Sequence, residues 1–554
     1  MHFVQACGRA AAIVALASGA FAQWTATEES LFQLQLGGLG GVGAAVDVDG
    51  DTCVVGYARE SSGLGGRAAV YRRNVSTWSL EQILQASDDA ANVFGNAVAL
   101  DGNTLVVGAR GATTSGFLGA GAAYVFVRNG ATWTQQAKLV ANDPEQSAEF
   151  GYAVALDGDT CAIGAPQSTS NFTLYAGATY VFVRSGATWT LQQRIVPSAA
   201  FSYIYGSRSG RALGLSGNSL LIGAPTSFDL ASNTILAGRV FEWTRVGATW
   251  SQSAELTPND SPDGRQFGTS IGYDGVRAVF GAWSENNLPT GTNVGTAYVF
   301  RRAGGWVQES ELPRPGIDNA DNFGTSVDLD GSRIIVGAPN ADSTAGASTG
   351  SVRVYEFDGA SWNQTLALAG SSTAVGDNLG RAVALDGARV IAGAPAAGVP
   401  GSSGGEAYVW RIGAPTFAYC TAKTNSLGCA PGVAWSGTPS ASSAAPFTVS
   451  ASQVLNQKLG LAFYGFAPAA APFQGGFLCI EPPTTRRPTS NSGGAPSGSS
   501  CTGAFQYEFN AWIQSGADPA LVAGADLYVQ FWYRDPASPS TTGLSNALRT
   551  QVQP

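Results

Sequence analysis

Carboxylates at regular spacing are the residues of this chain that come nearest to a chemical site. Asp47, Asp49 and Asp51 alternate along one segment, and Asp328 and Asp330 repeat that spacing. Alternate residues of a β-strand share a face, and carboxylate oxygens suit Ca²⁺, which takes six to eight oxygen ligands. Too few further oxygens follow in either segment. We therefore expect no metal and no cofactor, with calcium at these five aspartates as the alternative.

Catalytic residues are not expected. Ser270 lies in a Gly-Thr-Ser-Ile-Gly sequence that matches the spacing of a nucleophile elbow. The only histidine is His2, which precedes a predicted cleavage site, so no histidine could serve as its base or bind zinc. Paired carboxylates about 5–10 Å apart could still cleave a polysaccharide, but the sequence shows no distinctive pair.

The amino terminus predicts export. Residues 1–22 contain one early cation, Arg9, then an apolar run, and end in Ala-Phe-Ala before Gln23. This pattern is typical of a signal peptide cleaved near Ala22, so we expect a secreted or cell-surface protein. No later segment is apolar enough for a transmembrane helix. A net charge of −9 argues against nucleic acid as a partner, and we expect a monomer.

Cysteine usage agrees with an oxidising compartment. Four cysteines fall in the last quarter of the chain and predict two disulfides with three alternative pairings, of which we favour 420–429 with 479–501. These are Cys420, Cys429, Cys479 and Cys501. Cys53 and Cys161 occupy equivalent places in an internal repeat, which predicts small buried side chains.

An internal repeat dominates residues 23–412. A glycine, often after phenylalanine, recurs every 52 to 59 residues, at Gly43, Gly95, Gly151, Gly210, Gly268, Gly324 and Gly380. The phenylalanines of the clearest copies are Phe94, Phe150, Phe267 and Phe323. Six of the seven copies predict two strands joined by an Asp-Gly turn, and the fourth copy has Ser216-Gly217 in its place. A third strand follows in every copy, and in the first six a fourth strand begins at a tryptophan. The tryptophans are Trp78, Trp133, Trp189, Trp250, Trp306 and Trp362.

Seven units of four antiparallel strands predict an all-β fold with a seven-bladed β-propeller. The seventh copy lacks its fourth strand, and residues 23–35 resemble that missing strand. We therefore expect residues 23–35 to complete blade seven and close the ring. The period stops after Ile412, and several short strand-like runs with the four cysteines predict a disulfide-supported β-sandwich over residues 413–554.

The repeats resemble FG-GAP repeat proteins of the secreted bacterial kind, which are related to the propeller of integrin α subunits. The resemblance lies in the Phe-Gly starts and in Gly-Ala-Pro ends such as those at Pro166, Pro225, Pro339 and Pro395. It implies a seven-bladed propeller and an interaction or adhesion role. It also implies calcium in an acidic loop between the first two strands, although here that connection is a two-residue turn. The C-terminal region resembles an unassigned module of exported bacterial proteins.

Strand direction predicts where a partner binds. The second-to-third and blade-to-blade connections share one side of the propeller and are longer and more varied than the turns on the other side, so we expect an unknown protein or glycan there. Aspartates in the blade-to-blade loops could cap turns or bind cations, and we favour capping; they are Asp88, Asp89, Asp143, Asp260, Asp263, Asp318, Asp321 and Asp377. The repeated tryptophans could stack on sugars, but their fixed phase favours anchors for the outer strands.

Three functions are compatible with these residues. We expect a non-enzymatic binding or adhesion protein that uses the side with the longer loops. The alternatives are a polysaccharide hydrolase or lyase with carboxylates at the propeller channel, and a structural component of the cell envelope.

Overall fold

A computed structural model describes most of the chain. The described residues are 25–32, 41–58, 65–74, 77–88, 93–169, 174–196, 206–227, 238–259, 266–284, 294–314, 320–342, 346–397, 404–413, 417–443, 445–496, 499–522 and 525–552. The predicted signal peptide and its cleavage site lie outside this set. The chain divides into two compact units, which consist mainly of Ala26–Arg411 and Ile412–Pro554.

The first unit contains seven four-stranded antiparallel sheets, here called blades 1 to 7. The amino-terminal strand is β1 (Thr25–Phe32). Blade 1 has β2 (Val42–Asp49), β3 (Thr52–Tyr57), β4 (Arg67–Asn74) and β5 (Thr77–Leu84). Blade 2 has β6 (Phe94–Asp101), β7 (Thr104–Ala109), β8 (Ala122–Asn129) and β9 (Thr132–Leu139). Blade 3 has β10 (Ala153–Asp157), β11 (Thr160–Ala165), β12 (Ala178–Ser185) and β13 (Thr188–Ile195).

The remaining blades repeat this order. Blade 4 has β14 (Ala212–Ser216), β15 (Ser219–Ala224), β16 (Arg239–Val246) and β17 (Thr249–Leu256). Blade 5 has β18 (Ser270–Tyr273), β19 (Arg277–Ala282), β20 (Thr296–Arg302) and β21 (Trp306–Glu311). Blade 6 has β22 (Ser326–Asp330), β23 (Arg333–Ala338), β24 (Ser351–Phe357) and β25 (Trp362–Leu368). Blade 7 has β26 (Ala382–Asp386), β27 (Arg389–Ala394) and β28 (Glu406–Gly413), with β1 as its outer strand.

The blades form a closed ring. The first strand of each blade contacts the first strand of the next, and β26 of blade 7 contacts β2 of blade 1. The second strands, such as β7 and β11, are buried along their whole length because blades pack on both of their faces. The FG-GAP-like repeat therefore gives an all-β propeller, as the sequence predicts. The ring is completed by pairing of β1 with β28.

The Phe-Gly pairs explain the spacing of the blades. Phe94 and Phe150 are buried, and each ring packs against a tyrosine of its own third strand. The following glycines, Gly95 and Gly151, both have φ of +88°. A Cβ atom on Gly151 would lie 2.2 Å from the carbonyl oxygen of Ala122 in the preceding blade. Glycine is required there because the backbone is left-handed and the neighbouring blade approaches closely.

The second unit is a β-sandwich built from two principal sheets. Its larger sheet contains β29 (Phe417–Tyr419), β32 (Leu459–Gly465), β35 (Thr485–Arg486), β36 (Ser490–Asn491), β38 (Asp526–Arg534) and β39 (Thr542–Gln551). The smaller contains β30 (Gly432–Ser436), β31 (Thr448–Val454) and β37 (Gly503–Glu508). A separate hairpin pairs β33 (Pro468–Phe473) with β34 (Gly476–Ile480), and α1 (Asn510–Gln514) is a short helix. One apolar core joins the two sheets, with Phe505 stacked on Phe531.

The two disulfides lie in this unit, but the favoured pairing is wrong. Cys420 is bonded to Cys479, and Cys429 to Cys501. Cys420 follows β29 and lies beside the β33–β34 hairpin, which contains Cys479. Cys429 lies in a turn that begins at Asn425, where the Asn425 N–H donates to the Cys429 carbonyl. The Asn425 side chain also donates to Cys501 Sγ, so this turn lies next to the loop of Cys501. Pairing follows the order of strands in space, which the sequence spacing does not reveal.

Cys53 and Cys161 are unpaired and buried. Both sit in the fully buried second strands of their blades.

Within the described parts of the chain, no helix has the length and apolar character needed to cross a membrane. The two disulfides fit an extracellular protein.

Candidate functional site

The propeller has two unlike faces. The turn face carries the short connections between the first and second strands and between the third and fourth strands of each blade. The loop face carries the longer second-to-third connections and the connections between blades. Exposed loops on a rigid scaffold are the usual place for binding, so the side chains of the loop face are the first candidates for a site.

On the turn face, aspartates join neighbouring blades. The turn aspartate of one blade accepts a hydrogen bond from the turn glycine N–H of the next. The five bonds are Gly102 to Asp49 at 2.6 Å, Gly158 to Asp101 at 2.6 Å, Gly217 to Asp157 at 2.5 Å, Gly387 to Asp330 at 2.7 Å and Gly50 to Asp386 at 2.7 Å. The last of these spans the junction of blades 7 and 1. These carboxylates therefore hold the ring together.

Two further aspartates lie on the innermost strands. Asp47 and Asp328 occupy the place taken by alanine or glycine in the other blades. Asp47 accepts from the N–H of Leu100 in the next blade at 2.7 Å, and Asp328 accepts from that of Leu385, also at 2.7 Å. Burial raises the pKa of Asp47 to about 8 and that of Asp328 to about 7, and the charge of Asp328 contributes to the shift at Asp47.

The candidate calcium ligands do not fit a calcium site. Asp49 and Asp330 are used in the turn bonds, and both oxygens of Asp47 and of Asp328 accept backbone N–H groups. Asp51 pairs with Arg389 of blade 7 at 3.1 Å. These carboxylates are directed at neighbouring blades, whereas Ca²⁺ needs six to eight converging oxygens. Within the described residues no three His, Cys, Asp or Glu side chains are grouped as a metal site.

The repeated tryptophans join the outer strands of neighbouring blades. In five of the six, the indole N–H donates to a Glu or Gln of the preceding blade. The bonds are Trp78 to Glu29, Trp133 to Glu81, Trp189 to Gln136, Trp250 to Gln192 and Trp362 to Glu309, at 2.8–3.1 Å. Four of these indoles are buried, and Trp78 is half-buried, so they contribute to packing between blades and leave little ring surface for a sugar.

Blades 4 and 5 are joined differently. Trp306 Nε1 is buried without a hydrogen-bond partner among the described residues, because Ser253 stands where other blades have Glu or Gln. Arg302 of blade 5 instead forms an ion pair with the buried Glu242 of blade 4. Ser270, the apparent nucleophile, donates its hydroxyl to the carbonyl of Gly324 in blade 6 at 2.9 Å, which is a structural contact between blades.

The described loop-face aspartates mostly support tyrosines. Asp88 accepts from Tyr124 OH at 2.6 Å, and Asp143 accepts from Tyr180 OH at 2.7 Å. Asp377 accepts from the Ala374 N–H and so caps a turn, as predicted. For Asp88 and Asp143 the capping prediction is wrong, since their side-chain partners are tyrosines of third strands together with Lys138 and Arg194 of outer strands. Asp321 is buried, and Asp89, Asp260, Asp263 and Asp318 lie outside the described residues.

Apolar side chains are exposed on the loop face of blades 2 and 3. In the second-to-third connection of blade 2, Phe117 is 44 % and Leu118 is 66 % exposed. In the corresponding connection of blade 3, Leu174 is 66 % and Tyr175 is 47 % exposed. We call these four residues the apolar rim. The length of these loops does not distinguish the four residues. The signal in the sequence is that two large apolar residues stand next to each other in a loop of mostly small and polar residues.

The comparisons with known proteins agree with this architecture. The FG-GAP repeat family matches the chain at residues 78–126, 133–182, 250–300, 306–355 and 362–410. Each match runs from the outer strand of one blade to the third strand of the next. No curated protein matches the chain in sequence. FG-GAP repeats at five positions, together with four-stranded antiparallel sheets, fit an FG-GAP β-propeller. This fold suggests a binding or interaction role. The matches do not extend into the second unit, which is left unassigned.

Proposed function

We propose that this FG-GAP β-propeller chain is an exported, non-enzymatic protein of adhesion or surface interaction that holds its partner on the loop face. The observation that supports this best is the apolar rim. Phe117, Leu118, Leu174 and Tyr175 expose apolar surface that the propeller does not use for its own packing. Exposed apolar patches mark interaction sites, and the neighbouring blades 2 and 3 each expose a pair of consecutive apolar side chains.

The scaffold under the rim is fixed by backbone hydrogen bonds. The Thr114 N–H donates to the Phe117 carbonyl, and the Ser147 N–H donates to the Leu118 carbonyl at 2.9 Å. In blade 3, the Arg208 N–H donates to the Tyr175 carbonyl at 2.9 Å. The rim is therefore held in place before a partner arrives, and less conformational entropy is lost on binding.

Export is part of this proposal. The predicted signal peptide would direct the chain out of the cytoplasm, and the two disulfides would persist there. A secreted or surface position gives the loop face access to partners outside the cell.

The polysaccharide-cleaving alternative would rely on Asp47 and Asp328. Their raised pKa values would suit a general acid at neutral pH. Both oxygens of each carboxylate, however, already accept backbone N–H groups. A substrate would have to displace contacts that join blades, so we propose a non-enzymatic role.

A photo-crosslinking experiment tests the proposal in cells that produce the protein. The full chain carries p-benzoylphenylalanine in place of Tyr175 on the loop face or of Asn103 on the turn face; both positions are exposed. We expect adducts with an extracellular protein or glycan from position 175 and none from position 103. Equal adducts from both positions, or adducts from position 103 alone, would contradict a loop-face role.

A further inference from the structure

An arginine in blade 2 breaks the repeat on the loop face. Four blades end the second strand with Gly-Ala-Pro, at Pro166, Pro225, Pro339 and Pro395, but blade 2 has Arg110 in this place. The position lies where the second strand leaves the sheet, at the start of the loop that carries Phe117 and Leu118. A cation there is a departure that the propeller fold does not require.

Asn96 fixes the backbone around this arginine. Its Oδ1 atom accepts from the Arg110 N–H at 2.9 Å. Its Nδ2 group donates to the carbonyl oxygens of Gly151 at 2.9 Å and Tyr152 at 3.1 Å in blade 3. One amide side chain thereby sets the distance between Arg110 and Tyr152 across the junction of blades 2 and 3.

Two guanidinium groups lie over the ring of Tyr152. The Cζ atom of Arg110 lies 5.6 Å from the ring centroid, and that of Arg211 in blade 4 lies 5.0 Å from it. Cation–π contacts of this kind hold an arginine in place without neutralising its charge. The side chains of blades 2, 3 and 4 therefore converge at the start of the first strands, on the loop face.

The charges of the two arginines are balanced differently. Arg110 forms an ion pair with Glu149 at 3.2 Å. Arg211 is half-buried, and in the described part of the chain its guanidinium has the Tyr152 ring as its partner, with no ion pair or hydrogen bond. Many other arginines of the propeller, such as Arg73 and Arg128, are paired with carboxylates. Arg211 thus presents unused donors at a fixed position.

A planar guanidinium with free donors suits a carboxylate, which it can bind through two parallel hydrogen bonds. The apolar rim adjoins this site through the backbone. The Glu149 N–H donates to the Gly119 carbonyl next to Leu118, and the Arg208 N–H donates to the Tyr175 carbonyl. Branched aliphatic side chains such as Leu118 and Leu174 favour contact with protein side chains over stacking on sugar rings.

We propose that Arg211, held against the ring of Tyr152, binds a carboxylate of an acidic protein segment whose apolar side chains rest on the rim. The proposal rests on the loop face being the binding face and adds the chemistry of the partner. The ligand is an extended or looped peptide segment with Asp or Glu next to large apolar residues. Binding weakens as salt rises, because a charge pair contributes to it.

Selection from a phage-displayed library of random peptides on the full chain tests this. We expect recovered peptides to combine Asp or Glu with large apolar residues. Arg211→Gln should weaken their binding about tenfold or more, whereas Arg211→Lys should retain part of it because the charge remains without the planar fork. Arg534→Gln, at an exposed arginine of the second unit, is the matched control and should leave binding unchanged. Synthetic peptides in which Asp and Glu are replaced by Asn and Gln should bind the unchanged protein as weakly as the original peptides bind the Arg211→Gln variant.

The outcomes separate this proposal from the proposed function. If binding is weakened by Leu118→Ser with Leu174→Ser but not by Arg211→Gln, the carboxylate site is wrong and the loop-face function stands. If neither variant weakens binding, both are contradicted. Recovery of peptides without acids, or of no peptides, overturns the acidic segment as ligand. Melting temperatures equal to that of the unchanged protein establish that the variants are folded.

Discussion

The two faces of the propeller use their side chains for different purposes. On the turn face, carboxylates such as Asp49 and Asp386 accept hydrogen bonds from the next blade and follow the repeat. On the loop face of blades 2 to 4, charged and apolar side chains depart from the repeat, and within the described residues the side chains of Arg211 and Leu118 form no such bond. The turn aspartates that follow the repeat are structural, whereas the candidate site lies among loop-face side chains that do not join blades in this way.

Loss of the amino-terminal strand should lower the stability of the propeller more than any of the substitutions below. Deleting residues 23–35 removes β1, whose Phe32 stacks on Tyr71 of blade 1 with ring centroids 3.9 Å apart. It also removes Glu29, the partner of Trp78 and Arg73. Loss of the Phe32 contacts alone costs about 3 kcal/mol, so the melting temperature of the whole propeller should fall. An unchanged melting curve by calorimetry would contradict closure by this strand.

A pair of glycine substitutions should separate a position where the neighbouring blade leaves no room for a Cβ from a turn position where a Cβ meets open space. Gly151→Ala places a Cβ 2.2 Å from the Ala122 carbonyl oxygen at φ of +88°, and should cost about 3 kcal/mol or more of unfolding free energy. Gly158→Ala, on the turn face at φ of +56°, meets no atom within 4 Å and should cost about 1 kcal/mol. Equal losses in urea unfolding would show that left-handed geometry, and not blade contact, governs the Phe-Gly position.

The pH dependence of stability should report the inner aspartates. The folded pKa values of Asp47 and Asp328 are raised to about 8 and about 7, above the usual value near 4. The stability they contribute is therefore fully present below about pH 4 and is lost as pH rises through 7 to 8. Relative to the double variant Asp47→Ala with Asp328→Ala, the unchanged protein should lose at least about 1 kcal/mol between pH 5 and pH 9.

Alanine is the matched replacement here because Ala99, Ala155 and Ala384 occupy the equivalent positions in other blades. The measurement is the melting temperature of both proteins across this pH range. Parallel curves for the two proteins would contradict the raised pKa values.

Changes to the apolar rim should have the smallest effect on stability. Leu118→Ser with Leu174→Ser alters side chains that are 66 % exposed, so unfolding free energy should change by less than about 0.5 kcal/mol. The same changes should reduce partner binding. A large fall in melting temperature would show that the rim packs within the propeller and would remove the main support for a binding site.

The sequence predicts the architecture well because each blade repeats the same local signals. The Asp-Gly turns, the glycine spacing and the missing fourth strand of the seventh copy can all be recognised by comparing the copies along the sequence. The second role of Asp49 could not be predicted, because its partner, Gly102, becomes a neighbour once the blades form a ring. The cation–π contacts of Arg110 and Arg211 with Tyr152 could not be predicted for the same reason, since the three residues belong to three blades.

The second unit was less predictable for a related physical reason. Runs such as those in β32 and β38 are recognisable by their apolar and aromatic residues, but β39 (Thr542–Gln551) is not, because its pattern is more polar. Without the sheet order, the disulfide pairing could not be inferred from spacing. Cys420 and Cys429 are close in sequence, yet the sandwich joins them to partners 59 and 72 residues away.

One crosslinking measurement tests the division between the faces most directly. The photo-reactive residue is placed at position 175 in the full chain, in combination with either Leu118→Ser and Leu174→Ser or, on the turn face, Asp49→Ala and Asp101→Ala. We predict that the loop-face changes abolish adducts while the protein remains folded, and that the turn-face changes lower the melting temperature while adducts persist. Adducts that survive the loop-face changes and disappear with the turn-face changes in folded protein would contradict this division.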